Sequence, residues 1–442
     1  MIQPGRAFSG VSLIAAAALS AMTVVAVPAA AQAPRRVTLD EAVEIAMQRN
    51  PDLRIAASGV DRAEGARLGA YGAFLPTVEL GYDYATSSTG RLDPTGQSIT
   101  SESYTAQLTA EYGLFSGFRR FTETKSARRQ VDAARADYRE QRYQTVLDVK
   151  TAWFAALASR DRVRVEEERV QRQERQLEAV RIQLDYGRVA RSELLRSEIA
   201  LNNARLALLR AEDGARASTW QLAEALGIEE PVEPAESTLL APAALSLTRA
   251  QVHALARAGG PSLESAHAAT QAARAEVASA KSAYLPDLRV AGGYAWQSEE
   301  FPPSDRSWQL LVFGRFPLFD GFQRESALMQ ASADATAASA AERAAVQSLA
   351  SEVDSAFNQI EIALSSIELT ETAVALAREE LAMSEERYNL GRESFVDLQN
   401  VQIALRQAEV DGIRARFDYY VGLARLEFLL GRDLEAGAGA GS

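Results

Sequence analysis

The 442-residue chain has no cysteine, which excludes disulfides, thiolate metal centres, cysteine nucleophiles and a lipidated N-terminal cysteine. Histidine is scarce: His253 and His267 leave little for imidazole catalysis, and neither has a second ligand set beside it. Lysine occurs only as Lys125, Lys150 and Lys281, and no Gly-rich loop ends in one, so a nucleotide-phosphate cradle is missing. Basic excess is missing too. Against 59 Asp and Glu stand 47 Lys and Arg, a net charge of −12 that does not suit a nucleic-acid backbone. The expectation is a non-enzymatic chain without cofactor, metal or nucleic acid.

What is present begins with an address. Behind Arg6, Val11 to Val27 is an apolar run that ends at Pro28-Ala29-Ala30-Ala31-Gln32-Ala33. This reads as a signal peptide over residues 1–31, cut after Ala31 because the alternative would leave Pro34 first. No later stretch reaches the roughly 18 apolar residues of a membrane helix.

The chain then says the same thing twice. Leu114-Phe115-Ser116-Gly117-Phe118 returns 204 residues later as Leu318-Phe319-Asp320-Gly321-Phe322, and Gly187-Arg188 returns as Gly391-Arg392. Ile199-Ala200-Leu201 and Leu226-Gly227 recur at the same spacing. Two long copies imply two similar halves: a first repeat over 32–227, a linker over 228–246, a second repeat over 247–431 and a disordered tail over 432–442.

Within each half the period changes in the same order. Residues 38–73 read as helix, with Thr38 and Glu41 spaced as a capping box. Pro76 and Pro286 mark the change to a period of two. Val78, Leu80, Tyr82 and Tyr84 alternate with polar residues, as do Tyr104 to Leu114, Leu288 to Trp296 and Trp308 to Leu318. These are strands of about ten residues, with Tyr and Trp toward their ends as in an interfacial girdle. A soluble sandwich would need more of them; a membrane barrel would need about eight, so four must be shared among subunits.

Residues 119–186 and 322–390 contain neither Pro nor Gly, and each could extend about 100 Å as helix. Val346, Val353, Ile360, Ile367, Val374, Leu381 and Tyr388 recur every seven residues, matched by Val149, Ala156, Val163, Val170, Leu177 and Leu184. That period implies left-handed supercoiling of packed helices. Gly187 and Gly391 break them, and each is followed by a shorter helix ending at Gly227 or Gly431. The Glu166-Glu167-Glu168 cluster reads as the wet face of the first long helix, and Trp153 as a packing residue.

In this order the sequence resembles the TolC-like outer-membrane efflux and secretion proteins. The likeness is carried by Leu39-Asp40-Glu41-Ala42, Arg49-Asn50-Pro51-Asp52-Leu53, the Leu-Phe-x-Gly-Phe motifs, Tyr388-Asn389-Leu390-Gly391 and Val396-Asp397-Leu398-Gln399-Asn400. It covers essentially the whole chain after the signal peptide. The resemblance implies a mixed, mainly α fold: duplicated α-helical hairpins plus four transmembrane β-strands, in a homotrimer that shares a 12-stranded barrel continuing into a periplasmic helical tube. It further implies an outer-membrane, non-lipidated channel of a tripartite efflux or type I secretion system, working with a periplasmic adaptor and an inner-membrane pump. A soluble periplasmic coiled-coil scaffold or adaptor is the alternative; it explains the heptads but not the strands.

The resemblance also places candidate sites. Asp397, with Asn400 and the first-half counterpart Glu193, matches a constriction at the periplasmic entrance. A ring of carboxylates there would bind cations; the other reading of Asp397 is a solvated charge in the first turn of a helix. Tyr388 is either a hydrogen-bonding latch between hairpins or a member of the seven-residue seam. Gly187, Arg188, Gly391 and Arg392 form the turns an adaptor would meet. Thr105, Gln107, Thr109 and Glu111, with Gln309 and Arg315, would face the barrel lumen.

Overall fold

The computed structural model describes residues 35–92, 98–235, 242 and 245–434. The expected signal peptide, the loop around 93–96, most of the segment 236–244 and the tail beyond 434 lie outside the described residues.

The elements run β1 (Arg35–Val37), α1 (Leu39–Arg49), α2 (Pro51–Gly72), β2 (Thr77–Leu92), β3 (Ser98–Ser116), α3 (Arg119–Asp185) and α4 (Arg191–Leu226). They continue as β4 (Val232–Pro234), α5 (Arg249–Gly259), α6 (Pro261–Ser282), β5 (Asp287–Ser298), β6 (Asp305–Arg315), α7 (Gln323–Asn389) and α8 (Phe395–Leu430). Thr38 and Glu41 form the expected capping box. The helix expected over 38–73 is two helices. Pro51 disfavours helical backbone at Asn50, which turns out at φ −57°, ψ 127°. The Asn50 side chain then accepts the Leu53 N–H and donates to Ala225 O at 3.0 Å, fixing α1 and α2 to the end of α4. Gly260-Pro261 repeats the break between α5 and α6. Val232–Pro234, inside the expected linker, pairs in parallel with β1.

The four long strands form one antiparallel sheet in the order β2-β3-β5-β6. Its register puts Leu80 opposite Leu108, Leu108 opposite Tyr294, and Tyr294 opposite Trp308. Directly opposed residues share a face, so one face is apolar, and it is exposed: Leu80 73%, Trp308 76%, Val312 62%. The first hairpin is longer than the ten residues expected, because pairing continues from Tyr84 opposite Tyr104 to Thr89 opposite Ile99. Strands β2 and β6 are the edges of the sheet.

Sheet passes into helix through the repeated Leu-Phe-x-Gly-Phe motif. Gly117 and Phe118, like Gly321 and Phe322, are consecutive left-handed residues, with φ between 58° and 69°. A Cβ on Gly117 would lie 2.5 Å from the Leu285 Cβ, so glycine is required there. Arg120 clamps the turn from below, over the rings of Phe74 and Tyr112, and Arg324 does the same over Tyr284.

Below the sheet α3 and α7 each run 67 residues without interruption. Helices α3 and α4 form one hairpin and α7 and α8 the other, with α8 against α3. Beside the sheet, α2 packs on α3, and α6 sits between α3 and α7. The heptad seam is buried at Val149, Ala156, Leu177, Val353, Ile360, Ile367, Leu381 and Tyr388, but Val346, at the start of the expected row, is 44% exposed. Midway, α1, β1 and β4 cover the first hairpin and α5 the second, each over its own apolar core. The halves are tied there by Phe154 stacked on Tyr420 and by Lys150 at 2.5 Å from the buried Glu427. Burial raises the Glu427 carboxyl above its ordinary range, and Lys150 opposes the shift.

Two apolar stripes have no cover among the described residues. Ile362, Leu369, Leu376, Met383 and Leu390 recur every seven residues on α7 and are all exposed. They lie two positions, about 200°, round from the Ile360–Ile367 seam, and Ile362 borders a groove shared with α8. Ile199, Leu206 and Trp220 make a matching exposed row on α4. No described helix is long and apolar enough to cross a membrane.

The left-handed C-caps separate two contributions to stability. Gly227 has φ +70°, and a Cβ there would meet Arg49 O at 2.6 Å; Gly187 has φ +69° in open space. Gly187→Ala should cost about 1 kcal/mol, the left-handed backbone alone, and Gly227→Ala about 2 kcal/mol or more. Thermal melting of the two variants should show the larger fall for Gly227→Ala.

Candidate functional site

The hairpin tips carry the groups the sequence singles out. Gly187 and Gly391 both have φ +69°, and each tip closes by the same pair of bonds. Arg188 N–H donates to Gln183 O and Gly187 N–H to Leu184 O; Arg392 and Gly391 repeat this to Arg387 O and Tyr388 O. These are Schellman-type ends that satisfy carbonyls the helix leaves open. All four residues are exposed, with Arg188 lying over the Tyr186 ring.

Just inside the tips, Tyr388 and Glu193 meet. Tyr388 is buried in the seam, edge-on to Phe395, and its hydroxyl donates to Glu193 Oε1 at 2.8 Å. The tyrosine packs in the seam and also bonds across the hairpins. Burial, and then the Glu193 carboxylate, push its phenol pKa well above the ordinary value. The hydroxyl stays a donor at any neutral pH.

Asp397 and Asn400 are not part of this contact. Asp397 is exposed in the first turn of α8, where Ser394 Oγ donates to its Oδ2 at 2.6 Å and its own N–H donates to Ser394 Oγ. Asn400 is exposed one turn on. The two copies thus differ where they are formally equivalent. Position 190 is Ala where 394 is Ser, so Glu193 has no capping serine, and Leu184 stands where the second copy has Tyr388.

A polar seam above the tip was not anticipated. Gln173, 3% exposed, donates to Gln402 Oε1 at 2.6 Å, and Gln399 donates to both. Glu166 is 1% exposed and held by Arg406 and Arg169, which corrects its assignment to a wet face. Only Glu167 and Glu168 are exposed. Buried Glu409 faces Arg378 at 3.1 Å, and Ser384 donates to Glu393 Oε1 at 2.5 Å. The signal was available: Ser159, Glu166 and Gln173, and likewise Gln402 and Glu409, are spaced by seven and occupy seam positions.

On the sheet, Thr105, Gln107, Thr109, Glu111, Gln309 and Arg315 share the face opposite the apolar one. Glu111 pairs with Arg289 at 2.9 Å, and Arg289 also binds Asp287. Leu311 and Phe313 interrupt this polar face on β6. Away from these sites each histidine meets one carboxylate, His253 with Asp354 and His267 with Glu342. Trp153 is buried, and its indole N–H donates to Val37 O.

The family model described as "Outer membrane efflux protein" matches residues 42–228 and 252–432. Protein CyaE of Bordetella pertussis is 28% identical over 307 residues, 66% of this chain and 63% of CyaE. The pyoverdine export outer membrane protein OpmQ of Pseudomonas putida is 27% identical over 57% of this chain and 55% of its own. The chain thus aligns with rather under two thirds of either relative's length. The Campylobacter jejuni CmeC outer membrane channel has the same fold, with a TM-score of 0.79 over 91% of this chain and 87% of CmeC at 14% identity.

The raised Tyr388 pKa makes stability from its bond full below the unfolded value of about 10 and lost as pH rises past it. Protection of the tip amides, the exchange rate of an unstructured peptide at the same pH divided by theirs, should stay constant from pH 7 to about 10 and fall above. Tyr388→Phe should expose the same amides several-fold faster at neutral pH, about 1 kcal/mol. Exchange in Tyr388→Phe that matches the unaltered protein would show that the bond does not hold the tip.

Proposed function

The chain belongs to the outer membrane efflux protein family, and on that premise we propose that it is the outer-membrane duct of a tripartite efflux or type I secretion system. It carries cargo passively from a periplasmic adaptor and inner-membrane pump to the outside. One observation carries this reading: a four-stranded sheet with an exposed apolar face and two open edges, continuous with helices of 67 residues. At about 1.5 Å per residue these helices run roughly 100 Å, long enough to reach deep into the periplasm. An apolar sheet face of this kind suits lipid, and lipid tolerates no unpaired strand edge. Three copies joining β6 of one to β2 of the next would give a closed 12-stranded barrel, its polar face inward. The exposed stripes on α4 and α7 would meet along the same three seams.

Within that reading, residues 32–227 and 247–431 are the two staves each subunit contributes, after removal of a signal peptide. The tips, with Gly187, Arg188, Gly391 and Arg392, are the docking turns for the adaptor. The Tyr388–Glu193 bond holds them in the resting arrangement, with Asp397 adding a ring of three carboxylates at the opening. OpmQ exports pyoverdine by name; the cargo here follows the pump.

Outer-membrane fractionation and the mass of the solubilised particle test the assembly, with three chains expected. A soluble monomer in the periplasm would overturn it. For the opening, divalent cations on the periplasmic side should block single channels, and Asp397→Ala should relieve the block about tenfold. Block unchanged by the substitution would remove Asp397 from the opening.

A further inference from the structure

The duplication offers an internal control for one groove in the helical wall. A cavity of about 270 Å³ lies between α3 and α4, bordered by Arg162, Glu166, Ala207, Arg210 and Gly214, with Arg406 reaching in from α8. Their counterparts, 204 residues on, border a second groove between α7 and α8: Ser366, Thr370, Asp411, Arg414 and Asp418. The two grooves have the same backbone and opposite charge. The first carries three guanidiniums and one carboxylate, and that carboxylate, Glu166, is consumed by Arg406 and Arg169. In the second, Asp411 and Asp418 replace Ala207 and Gly214, and Arg414 is paired with Asp418 at 3.8 Å.

Two further features make the first groove receptive. Arg162 and Arg210 have no carboxylate partner among the described residues. The small side chains at 207 and 214 leave open space, and a Cβ on Gly214 would touch nothing. Its direction follows from Arg160, whose guanidinium donates to Pro234 O in the covering layer of α1, β1 and β4. Arg162 is two positions on, about 200° round α3, and so faces away from that layer. On the duct reading an added layer has room only on the convex side, which would put Arg162 on the concave side.

We propose that the Arg162–Arg210–Arg406 groove is an oxyanion-binding station in the duct, met three times around its circumference and alternating with three acidic grooves at Asp411 and Asp418. Guanidiniums bind phosphate and carboxylate through paired N–H donors, and two that lack partners are free to exchange one solute group for the next. The ligand class is a solute bearing several oxyanion groups. A uniformly acidic wall would repel it; alternating staves give it a path.

The inference rests on the duct reading, and planar-bilayer recording of the full-length protein separates the two. Tripolyphosphate is added to the periplasmic side. Block is expected in the unaltered protein, with the half-blocking concentration raised about tenfold in Arg162→Gln/Arg210→Gln. Asp411→Asn/Asp418→Asn should leave the block in place or deepen it. Open channels with equal block in the unaltered and arginine variants would overturn the station and leave the duct standing. Absence of any conductance would overturn both.

Discussion

An unpaired strand edge is the constraint from which the rest of this molecule follows. Strands β2 and β6 end the sheet with rows of backbone N–H and C=O groups, while the face between them is covered with Leu, Val, Tyr and Trp. In water such an edge invites any other strand; in lipid each unsatisfied group costs several kcal/mol. In the proposed assembly, closure with other copies would remove both problems at once. The left-handed Gly-Phe turns and their arginine clamps carry the strand directions into the long helices, so one closure would serve both layers.

Duplication supplied the frame, and divergence between the copies supplied the specialised contacts. Equivalent positions carry Tyr388 and Leu184, Ser394 and Ala190, Arg162 and Ser366, Asp418 and Gly214. The backbone scarcely registers these differences: both hairpins have helices of 67 and 36 residues and the same closing bonds. Charge and hydrogen bonding could therefore change locally without changing the wall. Cores built on heptads tolerate this, because each seam position sees mainly its own neighbours one turn above and below.

Periodicity made most of the fold legible. The seven-residue seam, the alternating strands, the capping box and the glycine ends are local patterns, and apart from the exposed Val346 and the longer first hairpin each is where the sequence puts it. What escaped notice was short or distant. Strands β1 and β4 have three residues each and pair across nearly 200 positions. The break at Asn50-Pro51 was hidden by helix-forming residues on both sides. The acidic run at 166–168 looked like a solvated face because it was read along the chain; only a step of seven reveals Glu166 as a seam residue. Tyr388 and Glu193, 195 positions apart, meet only once both hairpins are folded.

The composition of the seams also decides where the wall can part. Inside each hairpin the contact is aliphatic, Val353, Ile360 and Ile367 for instance, and opening it would expose that surface to water. Between the hairpins, apolar contacts such as Phe154 on Tyr420 and Val180 beside Leu398 alternate with Gln173–Gln402, Glu166–Arg406 and Tyr388–Glu193. Water can satisfy every one of those polar groups as it enters, so the net loss per bond is small. The polar links between the hairpins are thus the ones that part at least cost, while the aliphatic seam inside each hairpin stays whole.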